Sequence, residues 1–181
     1  MILFALLILS CSRESALDSE YKALESNPVH LRTQIEKRPL SVLLFLSPEC
    51  PLCQNYAPTI QKIQDSFPEE KVKFFGIVSG EFYSRESILK YKLKYGIDMP
   101  ILFDPKIRLA DYLDATTTPE AVVINDKEKV VYIGAIDNWA ISLGQKRLEA
   151  TAHYLRDALA NSLNDVKVNP SKTKAVGCFI E

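Results

Sequence analysis

The chain has 181 residues with 22 Lys and Arg against 23 Asp and Glu, a formal charge of -1, so no chain-wide field draws it to nucleic acid or an anionic membrane. With 47% apolar and 25% charged residues it has the composition of one folded globular domain and is too apolar for a disordered one. Its cysteines, Cys11, Cys50, Cys53 and Cys178, are too few and too uneven for a disulfide scaffold, which leaves the close spacing of Cys50 and Cys53 as the feature that invites chemistry.

Residues 2–9 are an unbroken apolar run followed by Ser10 and Cys11. That is too short to cross a bilayer core, which needs about twenty residues in a helix. It has the length of a signal-peptide hydrophobic region, with a small residue ahead of Cys11 at the processing site. The segment Ile8-Leu9-Ser10-Cys11 resembles the lipobox of bacterial lipoproteins. The resemblance implies lipidation of Cys11, a domain outside the cytoplasmic membrane, and membrane contact through that anchor alone. The alternative is an apolar amino-terminal segment with a buried cysteine. Residues 12–37 then read as a polar tether, with Leu17, Tyr21 and Leu24 at helical spacing.

The core begins at residues 41–47, SVLLFLS, a continuous apolar run of the kind expected of a strand buried on both faces. Tyr56, Ile60, Ile63 and Phe67 then recur at three- and four-residue spacing, which predicts a helix from Pro51 to about Ser66, closed by Pro68. A second strand over 72–78 and a helix over 84–95 repeat the order and imply parallel pairing. A short strand over 101–103 and a helical turn over 107–112 follow. Two β-branched runs, 120–125 and 130–136, are joined by Asp126, Lys127 and Glu128, a hairpin length without the usual glycine. Leu148, Ala152, Leu155, Leu159 and Leu163 predict a long amphipathic helix over 145–163 that covers the sheet. Residues 164–181 read as an irregular tail. The resulting organisation is a domain over 38–163 of α/β class, with a central mixed sheet made of a parallel βαβ half and an antiparallel hairpin, flanked by helices.

Cys50-Pro51-Leu52-Cys53 falls where the first strand turns into the first helix. Disulfide exchange needs a thiolate near neutrality and a second thiol in reach of it. Pro51 suits the first helical position, where its missing N–H costs nothing, and the free amides and dipole of that helix end favour a negative sulfur at Cys50. Cys53, one turn on, is the natural resolving thiol. Two other readings of the pair stay open: half of a zinc site, for which Cys178, His30 and His153 show no paired spacing, and a structural disulfide, for which the loop is too short to remove much chain entropy.

With these elements in place, residues 40–163 resemble the thioredoxin-like redoxins, grouped with the AhpC/TSA peroxiredoxins and the TlpA- or ResA-like thiol-disulfide oxidoreductases. Three features carry the resemblance: Pro58, five residues after Cys53, at the place of the proline that kinks the active-site helix; the segment Met99 to Pro105, MPILFDP; and Thr118-Pro119 ahead of the strand AVVIN. The resemblance implies a thioredoxin-like fold and a cis proline at Pro119, with Thr118 and Pro119 docking an extended substrate segment. It implies protein disulfides or thiols as substrates and an upstream electron donor, with neither a cofactor nor a metal. The chain departs from thioredoxins at two positions: Leu44 stands where they carry a buried acid, and Glu49 replaces the tryptophan before the first cysteine, so Glu49 becomes the candidate proton acceptor beside Cys50 or a charge that raises its pKa.

The rival activities are a peroxiredoxin-like peroxidase, for which Ser47 fills the hydroxyl position of the P-x-x-x-[TS]-x-x-C pattern but Leu43 replaces its proline, and Sco-like copper delivery, which uses CxxxC and a distant histidine. In the tail KAVGCFIE, Cys178 is read first as a simple thiol and second as a candidate third redox cysteine.

Overall fold

A computed structural model describes residues 15–181; Cys11 and the apolar run before it lie outside them. After a 3-10 turn at Ala16–Asp18 come β1 (Glu20–Tyr21), β2 (Val29–His30), α1 (Leu31–Glu36), β3 (Leu40–Phe45), α2 (Pro51–Asp65), β4 (Val72–Ser79), α3 (Arg85–Tyr95), β5 (Ile101–Asp104) and α4 (Arg108–Tyr112). The second half adds β6 (Thr117–Thr118), β7 (Glu120–Asn125), β8 (Val130–Gly134), β9 (Ala140–Ser142), β10 (Gln145–Lys146), α5 (Tyr154–Leu163) and β11 (Cys178–Phe179). The central sheet has the order β5-β4-β3-β7-β8. Pairing is parallel across β3, β4 and β5 and antiparallel across β3, β7 and β8, the mixed sheet that the strand–helix order and the hairpin predict. Among the described residues no helix is long and apolar enough to cross a membrane.

Every residue of β3 is buried. Side chains of a strand alternate between faces, so Val42 and Leu44 join one cluster with Tyr56, Ile60, Ile88, Tyr91 and Leu159 from α2, α3 and α5. Leu43 and Phe45 point the other way, into a second cluster with Leu17, Tyr21, Leu31, Ile35 and Leu109. Two such side chains, fully buried, stabilise by about 3–6 kcal/mol together. Their face therefore needs a cover, and residues 16–35 supply most of it.

The segment read as a polar tether is thus part of the packed domain from residue 15 onward. Its apolar residues sit on a 3-10 turn, two short strands and a short helix, none long enough to display a period. The segment also lines the outer edge of β5, where Leu24 N donates to Ile101 O at 2.9 Å and Phe103 N to Lys22 O at 2.9 Å. That pairing satisfies an edge that would otherwise be open to another chain.

The helix expected over 145–163 forms only from Tyr154. Before it the chain makes the β9–β10 hairpin through Gly144, at φ +80°, and Leu148 is 98% exposed. The Asn138 side chain accepts from Thr151 N at 2.8 Å and Ala152 N at 3.1 Å and ties this stretch down as loop, so the helical spacing of Leu148 and Ala152 is coincidental. The β7–β8 hairpin solves its lack of glycine with Glu128 at φ 59° and the Asn125 side chain, which accepts from Lys127 N and Lys129 N. The tail is ordered against the sheet: Thr173 N donates to Ile133 O at 3.0 Å, and β11 pairs with β6.

Candidate active site

β3 delivers the chain to the site. Five residues beyond its end Cys50 is the N-cap of α2, in extended conformation (φ -71°, ψ 116°), with Pro51 at the first helical position and no side-chain capping bond of its own. The sulfur is therefore free of structural duty. One turn on, Cys53 is fully buried, and its Sγ accepts from Ser47 N at 3.4 Å. α2 runs through Pro58 without a break, and Pro58 is exposed on its outer side, away from the thiols.

β7 places the opposite wall. It pairs antiparallel with β3, with Glu120 opposite Phe45, so the residues just before it face the end of β3 and the start of α2. The Thr118-Pro119 peptide is cis, as its place before that strand implies. The Thr118 carbonyl accepts from Cys50 Sγ at 3.2 Å when Cys50 is protonated. The buried Glu120 carboxylate accepts from Thr116 N at 2.8 Å and Thr117 N at 3.1 Å and fixes the loop ahead of the proline. Sequence reasoning missed Glu120; its signal was an acid opening an otherwise apolar strand.

The third side of the site is the tail. β11 lies antiparallel on β6 with Cys178 opposite Thr118, and Cys178 Sγ comes to 2.8 Å from Cys50 Sγ. All three are free thiols. Cys50 was expected at an accessible helix start, yet it is 1% exposed, because the tail sits over the open end of α2.

The three sulfurs divide their protons unequally. Hydrogen bonding from Cys53 holds the Cys50 thiol down to about 4, against the opposing effect of burial and with a further contribution from Cys178. Burial pushes Cys53 well above its ordinary value, and the charge and hydrogen bond of Cys50 push the same way. Burial also raises Cys178 to about 11, again with help from Cys50. At neutral pH the cluster thus carries one negative charge, on Cys50, with donors on two sides. The expected help from the helix end is joined by thiol donors that no spacing rule announced.

The proposed proton acceptor Glu49 points to solvent and makes no side-chain hydrogen bond to the thiols, and Leu44 is sealed in the core. Ser47 Oγ pairs with Tyr83 OH at 2.8 Å, and Tyr91 OH donates to Cys53 O at 3.4 Å. A cleft of about 390 Å³ beside the thiols is lined by Leu46, Ser47, Glu49, Tyr83, Thr118 and Phe179 among others. Neither histidine joins the site: His30 pairs with Glu20 at the far edge and His153 caps α5. Among the described residues no group of three or more His, Cys, Asp or Glu side chains is disposed to hold a metal ion.

The model of the AhpC/TSA family matches residues 13–133. The chain belongs to the AhpC/TSA family. Within it, the chain is 23% identical over 120 residues to the thiol-disulfide oxidoreductase ResA of Halalkalibacterium halodurans, a match spanning 66% of this chain and 66% of that relative, just under two thirds of its length. In three dimensions it is similar to a conserved protein from Geobacillus kaustophilus, with a TM-score of 0.78 at 22% identity over 91% of this chain and 89% of the other. It is also similar to a secreted Mycobacterium tuberculosis disulfide oxidoreductase homologous to E. coli DsbE, with a TM-score of 0.57 at 17% identity over 83% and 97%. The fold of this AhpC/TSA member is thioredoxin-like.

Proposed function

We propose that the chain is a thiol-disulfide oxidoreductase in which the Cys50 thiolate attacks a protein disulfide and Cys53 resolves the mixed disulfide. The observation that carries this is a single sulfur at the start of α2 with its pKa held down to about 4 by neighbouring thiol donors. Attack forms a Cys50–substrate bond and expels one substrate thiolate. Cys53 then attacks Cys50 Sγ, forms the Cys50–Cys53 disulfide and releases the second substrate thiol, so the substrate gains two electrons and the pair loses them. Its partners are protein disulfides or thiols and a donor that returns the pair to the reduced form. Thr118 and Pro119 border the thiol and offer the backbone edge on which an extended substrate would lie.

The ResA relative and the mycobacterial neighbour support this class of activity, and the neighbour, a secreted protein, supports a site outside the cytoplasm. The apolar run over 2–9 and the lipobox-like Cys11 support the same place, with Cys11 as the lipid anchor. Peroxide reduction is disfavoured by Leu43, which stands where the peroxiredoxin pattern carries its proline.

Insulin reduction tests the mechanism. Cys50→Ser is expected to abolish it, and Cys53→Ser combined with Cys178→Ser, which removes both thiols beside Cys50, to accumulate a covalent adduct with the partner; turnover by Cys50→Ser at the wild-type rate would refute the assignment. Incorporation of a palmitate analogue into the wild type and its loss in Cys11→Ala would test the anchor.

A further inference from the structure

A thiol that works on protein disulfides has to meet them, yet here its approach is occupied by the chain's own tail. We propose that the strand β11 is an internal substrate of Cys50: Cys178 competes with Cys53 for the bond to Cys50, so the oxidised chain passes between a Cys50–Cys53 and a Cys50–Cys178 disulfide, and the seated tail excludes external substrate. The inference rests on the exchange activity proposed above.

Four observations converge on it. The two sulfurs are 2.8 Å apart, against a bonded S–S distance of about 2.05 Å, so bond formation requires a movement of less than about 1 Å. The tail is seated as an extended peptide added to an edge strand, with Cys178 opposite Thr118, Thr118 Oγ1 donating to Cys178 O at 3.4 Å and Ile180 N donating to Thr116 O at 3.0 Å. Gly177 makes that seating possible, because a Cβ there would overlap the Thr118 carbonyl. Finally, the strand is two residues long, its Phe179 is 78% exposed, and only Cys178 and Ile180 pack, part-buried, against the core, so the tail is weakly held and can leave.

The exchange balances within the chain. The Cys178 thiolate attacks Cys50 Sγ of the Cys50–Cys53 disulfide; the Cys50–Cys178 bond forms, the Cys50–Cys53 bond breaks, and Cys53 leaves as a thiolate that takes up the proton Cys178 gave away. No electrons are gained or lost, so the ratio of the two disulfides is independent of the redox buffer. The product leaves Cys53 reduced and buried while the oxidised bond extends to a part-exposed residue.

Glutathione disulfide is the probe. Cys53→Ser, oxidised with it, acid-quenched and mapped without reduction, is expected to contain a Cys50–Cys178 cross-link with all glutathione released. The oxidised wild type is expected to contain both disulfides in a ratio that stays constant as the ratio of reduced to oxidised glutathione is varied. A Cys53→Ser protein that stops at a Cys50–glutathione adduct, or a wild type with Cys50–Cys53 alone, overturns the tail's role and leaves the exchange activity intact. Absence of any Cys50 disulfide in the wild type overturns both. Gly177→Val in the Cys53→Ser background keeps the thiol but unseats the strand, and should slow the second glutathione release by about tenfold or more; an unchanged rate would show a loose tail rather than a docked one and reject the proposal.

Discussion

Cys53 and Cys178 present the same group to the same sulfur from unlike supports. Cys53 rides the first turn of α2, fully buried, over a cluster that includes Leu44, Tyr56, Ile88 and Tyr91. Cys178 rides a two-residue strand near the chain end, part-exposed, held by a few backbone and hydroxyl contacts. Under the proposals above, chemical equivalence combined with mechanical inequality would give the two thiols different jobs: the fixed one sets the charge of Cys50 and resolves, while the detachable one comes and goes.

The largest expected effect breaks the firm support. Leu44→Ala removes a fully buried side chain from the cluster that also holds Cys53 and should cost about 2–5 kcal/mol in urea unfolding. Next, the thiolate absorbance near 240 nm should disappear as pH falls through about 4 in the reduced wild type. Cys53→Ala, which removes the leading donor, should move that midpoint up by about one to two pH units, the worth of a hydrogen bond to a charged group. Cys178→Ala should move it less. Equal shifts would erase the distinction between the two thiols.

The same shifts set the pH dependence of stability. Cys50, depressed from 9.0 to about 4, contributes stability that is fully present above the unfolded value and lost as pH falls through about 4. Cys178, raised to about 11, contributes stability that is fully present below 9.0 and lost as pH rises through about 11. Urea midpoints of the reduced protein should therefore be highest near pH 9, fall as pH drops towards about 4 and fall again as it rises towards about 11, and vary less when all three cysteines are replaced by alanine.

Tyr56→Phe, on the inner side of α2, deletes the 2.7 Å bond to buried Asp137 and should cost about 1–3 kcal/mol. The smallest effect belongs to the tail: removing residues 177–181 should cost about 1–2 kcal/mol, because Phe179 is already in water and only Cys178 and Ile180 pack, part-buried, against the core. A larger loss would make the tail a structural strap instead of a detachable strand.

Much of the site was legible because it is local. An apolar run buried on both faces, a turn, Pro51 at a helix start and an apolar stripe along α2 are short-range patterns, and they place Cys50 and Cys53 without knowledge of anything distant. The position of Pro119 was legible from its place before β7. Residues 15–37 and 145–153 were misread for opposite reasons, the first because real burial came without a period, the second because a period came without burial.

By itself, then, the amino-acid order determined the alternation of strands and helices and the chemistry at the head of α2, since backbone periodicity and helix-end effects act over one or two turns. Only the tertiary structure decided which thiol, 128 residues away, would stand over Cys50. A two-residue strand carries no period to read, and its partner, β6, is a two-residue strand outside the five-stranded sheet that the fold sets beside the thiol.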